Sequence, residues 1–154
     1  MALFSWVKRN PAGDRPLGGL LVMDEAQDLA PSAGSTPCSE STKRLASQAR
    51  KYGLGLLFAT QSPRVLHNSI SNNATTQFFG LLNAPAQIEA ARDLARARAS
   101  DVPDIGRLSA GEFYLATEGS GFHRVRTPMC LSCHAGPLTE DQVLLKSRPS
   151  RTVP

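Results

Sequence analysis

The sequence predicts an α/β domain with a mostly parallel sheet and an antiparallel hairpin near its C-terminal end. Apolar β-rich runs alternate with amphipathic segments, the pattern of strands joined by helical crossovers. Leu17 to Met23 and Leu54 to Thr60 are continuous apolar runs that close in polar residues, as strands buried on both faces do. Gly111 to Thr117 and Phe122 to Thr127 are short β-prone runs joined by Glu118-Gly119-Ser120-Gly121, a turn composition. A length of 154 residues allows one domain, and 41% hydrophobic against 19% charged residues excludes a disordered chain.

Ala2 to Lys8 reads as a helix with Leu3, Trp6 and Val7 on one side, ended by Asn10-Pro11 and Gly13. The first strand, Leu17 to Met23, stops at Asp24-Glu25, and Gln27 to Pro37 is a loop of prolines and small residues. Ser39 to Tyr52 is a helix with Ser39 or Ser41 as cap, Leu45, Ala46, Ala49 and Tyr52 on one face, and Gly53 as its end. Its other face carries Lys43, Arg44, Arg50 and Lys51. The second strand, Leu54 to Thr60, ends before Pro63, which cannot continue a central strand. Val65 to Asn73 is a turn with a short helix, and Thr76 to Leu82 a third strand. Ala84 to Ala99 is a helix with Pro85 in its first turn, Ile88, Ala91, Leu94 and Ala95 inward, and Arg92, Arg96 and Arg98 outward. Glu89 with Arg92 and Asp93 with Arg96 form (i, i+3) pairs. After the hairpin a short helix is expected from Thr139 to Leu145, so residues 1–145 make the domain and 146–154 a disordered tail.

Seventeen Lys plus Arg against thirteen Asp plus Glu give a net charge of +4. The cations are scattered, so the bias permits contact with phosphates without demanding it. No apolar stretch approaches the roughly 20 residues needed to cross a bilayer, and Met1 to Asn10 lacks a signal-peptide layout. A cytoplasmic location with reduced thiols is expected, since three cysteines do not suit a disulfide framework.

The chemistry is concentrated in Leu20-Leu21-Val22-Met23-Asp24-Glu25-Ala26-Gln27, four apolar residues closed by two carboxylates, the layout of a Walker B element. A rigid strand would hold Asp24 at its carboxyl end, where ligands of open α/β sheets bind, suited to a Mg²⁺ shared with nucleotide phosphates. Glu25 beside it could orient and polarise an attacking water. Gln61 leaves the next strand in Ala59-Thr60-Gln61-Ser62-Pro63, where an amide could sense a γ-phosphate. Arg50 lies at a helix end, where a cation also suits the helix dipole.

These residues resemble a family. Val22 to Pro31, then Gln48-Ala49-Arg50-Lys51-Tyr52-Gly53-Leu54-Gly55, then Phe58 to Pro63, are similar in kind and order to the HerA-type DNA-translocating ATPases of the HerA/FtsK branch. The similarity continues through Asn73 to Phe79 and Gly111-Glu112-Phe113, and so covers most of residues 2 to 145. It implies the C-terminal part of a RecA-like P-loop core that assembles as a homo-hexameric ring and moves double-stranded DNA with ATP and Mg²⁺. It implies Asp24 as the Mg²⁺ residue, Glu25 as catalytic carboxylate, Gln61 as sensor, and Arg50 as an arginine finger acting on a neighbouring subunit. A nuclease partner is compatible with it.

The departure from that family is the phosphate loop. G-x-x-x-x-G-K-[ST] is absent: the four lysines, Lys8, Lys43, Lys51 and Lys146, are preceded by Val, Thr, Arg and Leu. The expectation is a C-terminal portion of a longer ATPase, inactive by itself. The alternative is a truncated, catalytically inactive remnant or interaction module with an exposed sheet edge.

Other motifs carry weaker expectations. Cys130-Leu131-Ser132-Cys133-His134 matches the C-x-x-C-H haem attachment signature, which needs an exported protein. Cys130, Cys133 and His134, with Cys38, supply the ligand types of a tetrahedral zinc site, but nothing in the sequence brings Cys38 near, and free thiols are the expectation. Asp101, Asp104 and Glu112 lack catalytic spacing and read as solvated charges, and His67 and His123 as surface or turn residues.

Overall fold

A computed structural model of the chain describes residues 2–132 and 136–147. Strands β1 (Gly19–Met23) and β2 (Leu54–Phe58) pair in parallel, with Gly19 opposite Leu54 and Met23 opposite Phe58. The crossover between them is helix α2 (Ser39–Gln48), continued by a 3₁₀ turn over Ala49–Tyr52. Pairing persists beyond the regular strands: Ala59 N–H donates to the Met23 carbonyl at 2.9 Å, and Ala26 N–H to the Ala59 carbonyl at 2.8 Å.

One face of this pair forms the first core. Met23 packs with Ala26, Ala30, Leu45, Ala49, Leu66 and Ile70, and with Phe4 of helix α1 (Ala2–Arg9). The buried side of α1 is Phe4 and Val7, an (i, i+3) pair, whereas Leu3 and Trp6 are exposed, which corrects the face assigned from sequence. The Phe4 ring meets Tyr52 edge-on at 6.1 Å. The opposite face of the pair is uncovered: Leu20 is 61%, Val22 55% and Leu57 49% exposed. The expectation of burial on both faces is therefore not met, because the described helices that cover these strands pack on one side only.

Helix α2 is not capped by a serine side chain. Its N-cap is Cys38, while Ser39, already in the first turn and buried, turns its hydroxyl back to accept the Thr36 N–H at 2.8 Å, and Ser41 donates to the Cys38 carbonyl at 2.8 Å. Gly53 ends the 3₁₀ turn at φ 70°, and a β-carbon there would overlap the Ala12 methyl, so only glycine fits.

Helix α3 (Asn68–Asn73) is capped by His67, whose Nδ1 accepts the Ser69 N–H at 3.2 Å. His67 thus has a partner that the sequence did not show. Strand β3 (Gln77–Phe79) leads to helix α4 (Pro85–Arg96), then to β4 (Glu112–Ala116) and β5 (His123–Arg126). The expected antiparallel hairpin forms, Phe113 facing Val125, and β3 joins it antiparallel, Phe79 facing Tyr114. Parallel pairing in the described residues is that of β1 with β2, and β3 belongs to a separate three-stranded sheet.

The second core joins Ala91 and Ala95 of α4 to Val102, Ile105, Leu108, Tyr114, Ala116 and Phe122. Phe79 stacks on Phe122 at 4.6 Å. On α4, Arg92 pairs with Glu89 at 3.8 Å and Arg96 with Asp93 at 2.9 Å, as the spacing predicts. Arg98 does not face outward with them. Its guanidinium donates to the Ala74 carbonyl at 3.1 Å and the Thr117 carbonyl at 3.3 Å and lies 6.0 Å from the Phe122 ring centre, clamping α4 to the hairpin. Helix α5 (Glu140–Ser147) has no buried residue. No helix among the described residues is long and apolar enough to cross a membrane.

Candidate functional site

Parallel pairing brings the carboxyl ends of β1 and β2 to one place, and the chain supplies Asp24 and Glu25 from the first and Thr60 and Gln61 from the second. Glu25 adopts a left-handed backbone, φ 47° and ψ 48°, which costs a non-glycine residue about 1–2 kcal/mol. The turn lets its carboxylate meet amides from two directions. Gln27 Nε2 donates to Oε2 at 2.6 Å, and Gln61 Nε2 donates to Oε1.

A second tier holds these amides. Thr60 Oγ1 donates to Gln27 Oε1 at 2.6 Å, and Gln87 of α4 donates through Nε2 to the Gln61 carbonyl at 2.9 Å. The network therefore ties the ends of both strands to α4. Gln27 and Thr60 were visible in the motifs but not recognised as site residues. Their signal was position: each adjoins a strand's polar exit, yet only the turn at Glu25 shows that they meet.

The Gln27 amide, and then that of Gln61, hold the Glu25 carboxyl below its ordinary value of 4.5, with slight desolvation opposing them. A group whose pKa is lowered by folding contributes stability above its unfolded pKa and loses it as pH falls through the lowered value. Replacing Gln27 and Gln61 by Leu is expected to raise the Glu25 pKa, read by carbon-detected NMR titration of the side-chain carboxyl. An unchanged titration midpoint would show that the amides do not stabilise the anion.

Asp24 is exposed, and its Oδ1 accepts the Glu25 N–H at 2.9 Å, which orients the carboxylate. No cluster of three or more His, Cys, Asp or Glu side chains able to hold a metal occurs among the described residues. A lone oriented carboxylate fits Mg²⁺, which keeps waters and substrate phosphates as its other ligands rather than an all-protein cage.

Arg50 is not at this site. It is exposed and lies within the 3₁₀ turn that precedes β2, so it stands at the amino end of the strand while Gln61 follows the carboxyl end. Five residues at about 3.3 Å each separate the two by on the order of 15 Å.

The remaining candidates have structural partners or lie elsewhere. Glu112 pairs with Arg124 at 2.7 Å and accepts the Ser109 N–H at 2.7 Å, and Asp101 accepts the Val102 N–H at 2.8 Å. Cys38 and Cys130 are exposed free thiols, while Cys133 and His134 lie outside the described residues.

No protein-family model matches the chain. No curated protein is similar to it by the same standard. Solved structures are. The genome packaging NTPase B204 from Sulfolobus turreted icosahedral virus 2, in complex with ATP-gammaS, matches with a TM-score of 0.55 and 19% identity over 72% of this chain and 52% of that one. The same NTPase in complex with sulfate matches with a TM-score of 0.57 and 19% identity over 72% and 52%. The DNA-packaging ATPase B204 from Sulfolobus Turreted Icosahedral Virus matches with a TM-score of 0.57 and 17% identity over 72% and 52%. The chain thus spans about half the length of the structures it matches, and over that half it has the α/β fold of these ATPases.

Proposed function

We propose that this chain carries the hydrolysis side of a HerA-like ATP-driven DNA translocase, whose phosphate loop lies in other polypeptide. The observation that carries the reading is the Glu25 carboxylate gripped by the Gln61 amide across the paired ends of two parallel strands. A carboxylate held ionised there orients a water and accepts its proton as the water's oxygen bonds to the terminal phosphorus and the bond to the bridging oxygen of the leaving diphosphate breaks. Gln61, bonded to that carboxylate and through its carbonyl to Gln87, couples the state of Glu25 to α4. Asp24 is the residue that would hold Mg²⁺, and the ion when bound neutralises phosphate charge.

The nucleotide assignment is supported by fold neighbours solved with ATP-gammaS and with AMP, and the DNA assignment by neighbours that package DNA. A ring is supported by Arg50: it stands too far from Glu25 to serve its own site, so it would serve a neighbouring subunit's phosphates. The family resemblance implies a homo-hexamer, and a nuclease partner is compatible with it.

The test is ATP hydrolysis by the longer ATPase that contains this chain together with its phosphate loop. Arg50→Ala is expected to lower turnover by about 10³-fold or more while ATP binding persists, as loss of an arginine finger does. Mixing Arg50→Ala with Glu25→Gln subunits should restore part of the activity, because some interfaces then receive both intact groups. Absence of any recovery would overturn the action in trans.

A further inference from the structure

We propose that Thr60 is a positioning residue for the hydrolytic step: its hydroxyl fixes which end of the Gln27 amide faces Glu25, and so holds the plane of the carboxylate that the attacking water must meet. The inference rests on the hydrolytic reading of Glu25 and adds to it a residue that touches neither the water nor the phosphate.

The two amides on Glu25 are held in different ways. Gln27 donates to Oε2 at 2.6 Å, and its own oxygen accepts the Thr60 hydroxyl at 2.6 Å. Gln61 donates to Oε1, but the bond that holds it from behind, from Gln87 Nε2 at 2.9 Å, is made to its main-chain carbonyl and does not fix its side chain. Gln27 is therefore the fixed point of the pair, and Thr60 is what fixes it.

The direction of each bond follows from which groups can donate. An ionised carboxylate only accepts, so the end of Gln27 that meets Glu25 is the NH₂ group and the end that meets Thr60 is the oxygen. An amide turned end for end would set its oxygen against the carboxylate, two acceptors with no proton between them. Thr60 has one hydroxyl proton and two acceptors in reach, Gln27 Oε1 at 2.6 Å and the Ser62 carbonyl at 3.1 Å. The Ser62 N–H donates to the same hydroxyl oxygen at 3.3 Å and occupies a lone pair on that side, which leaves the proton to the shorter contact with Gln27. The main chain sets the distance: Ala59 N–H bonds to the Met23 carbonyl and Ala26 N–H to the Ala59 carbonyl, so Thr60 stands beside the turn that carries Glu25 and Gln27.

Valine has the shape of threonine and no proton to donate. In Thr60→Val the Gln27 oxygen would face a methyl group, the amide would be released to rotate, and the carboxylate would lose its fixed plane. Misplacement of a reacting group by about 1 Å costs on the order of 10²-fold in rate.

The test has two readouts. In this chain, nitrogen-15 relaxation of the Gln27 side-chain amide is expected to show an order parameter that falls to below about 0.6 in Thr60→Val, the flexible range, while Thr60→Ser keeps the parent value. In the longer ATPase, Thr60→Val is expected to lower kcat by about 10- to 10²-fold with the KM for ATP within about twofold of the parent, and Thr60→Ser to recover most of that loss. In a Gln27→Leu background Thr60→Val should lower kcat by no more than about twofold further, because Thr60 acts through Gln27. A Gln27 amide as rigid in Thr60→Val as in the parent would overturn the inference. So would an unchanged kcat, a loss in Thr60→Ser equal to that in Thr60→Val, or an undiminished further loss in the Gln27→Leu background. Turnover retained by Glu25→Gln would remove the hydrolysis reading instead, and the amide relaxation, which needs no nucleotide, would still read the contact of Thr60 with Gln27.

Discussion

Glu25→Gln is expected to abolish ATP turnover, by about 10²- to 10⁴-fold, in the assembly that includes the phosphate loop, while ATP binding persists. The substitution keeps size and shape but exchanges an acceptor for an amide that faces two amide donors, Gln27 Nε2 and Gln61 Nε2. Gln27 is fixed by Thr60, so its orientation holds; Gln61 is anchored through its main-chain carbonyl and can rotate its side-chain amide to present oxygen. The fold should therefore survive, with unchanged circular dichroism, while the negative charge that orients water is gone. Turnover within about tenfold of the parent would remove Glu25 from the proposed role.

The largest effect on stability is expected at Ile105→Ala. Ile105 is fully buried among Val102, Leu108, Tyr114 and Phe122, and its carbonyl accepts the Leu82 N–H at 3.3 Å. Loss of its outer carbons should cost about 2–5 kcal/mol, from transfer plus the cavity left behind. Against a typical total of about 5–15 kcal/mol this is a large fraction. Urea denaturation measures it, with Leu20→Ser as the contrast: Leu20 is 61% exposed, and its replacement should shift stability by no more than about 0.5 kcal/mol in this chain. A loss below about 1 kcal/mol for Ile105→Ala would show that the second core is not tightly packed.

Local patterns were legible because they rest on local chemistry. The apolar run ending in Asp24-Glu25, the breaking effect of Gly53, the turn after Thr117 and the ion pairs of α4 each depend on residues a few positions apart. Arg98 was misplaced for the opposite reason. It lies two residues beyond the end of α4, about 200° of helical rotation from Arg96, and carbonyls of Ala74 and Thr117, distant in sequence, draw it inward. Likewise the phase of α1 left two faces available, and packing of Phe4 against Tyr52 selected one.

The sequence by itself determined the α/β class, the order of strands and helices, the carboxylates at the first strand's exit and the lack of a phosphate loop. Tertiary structure alone decided that Gln61 and Gln27 meet on Glu25 and that β3 joins the hairpin instead of β2. The division has a physical cause. Periodicity and turn chemistry act over a few residues, whereas a carboxylate's partners and a strand's neighbours are chosen by main-chain pairing between segments tens of residues apart, and no single window of sequence contains both sides of that choice.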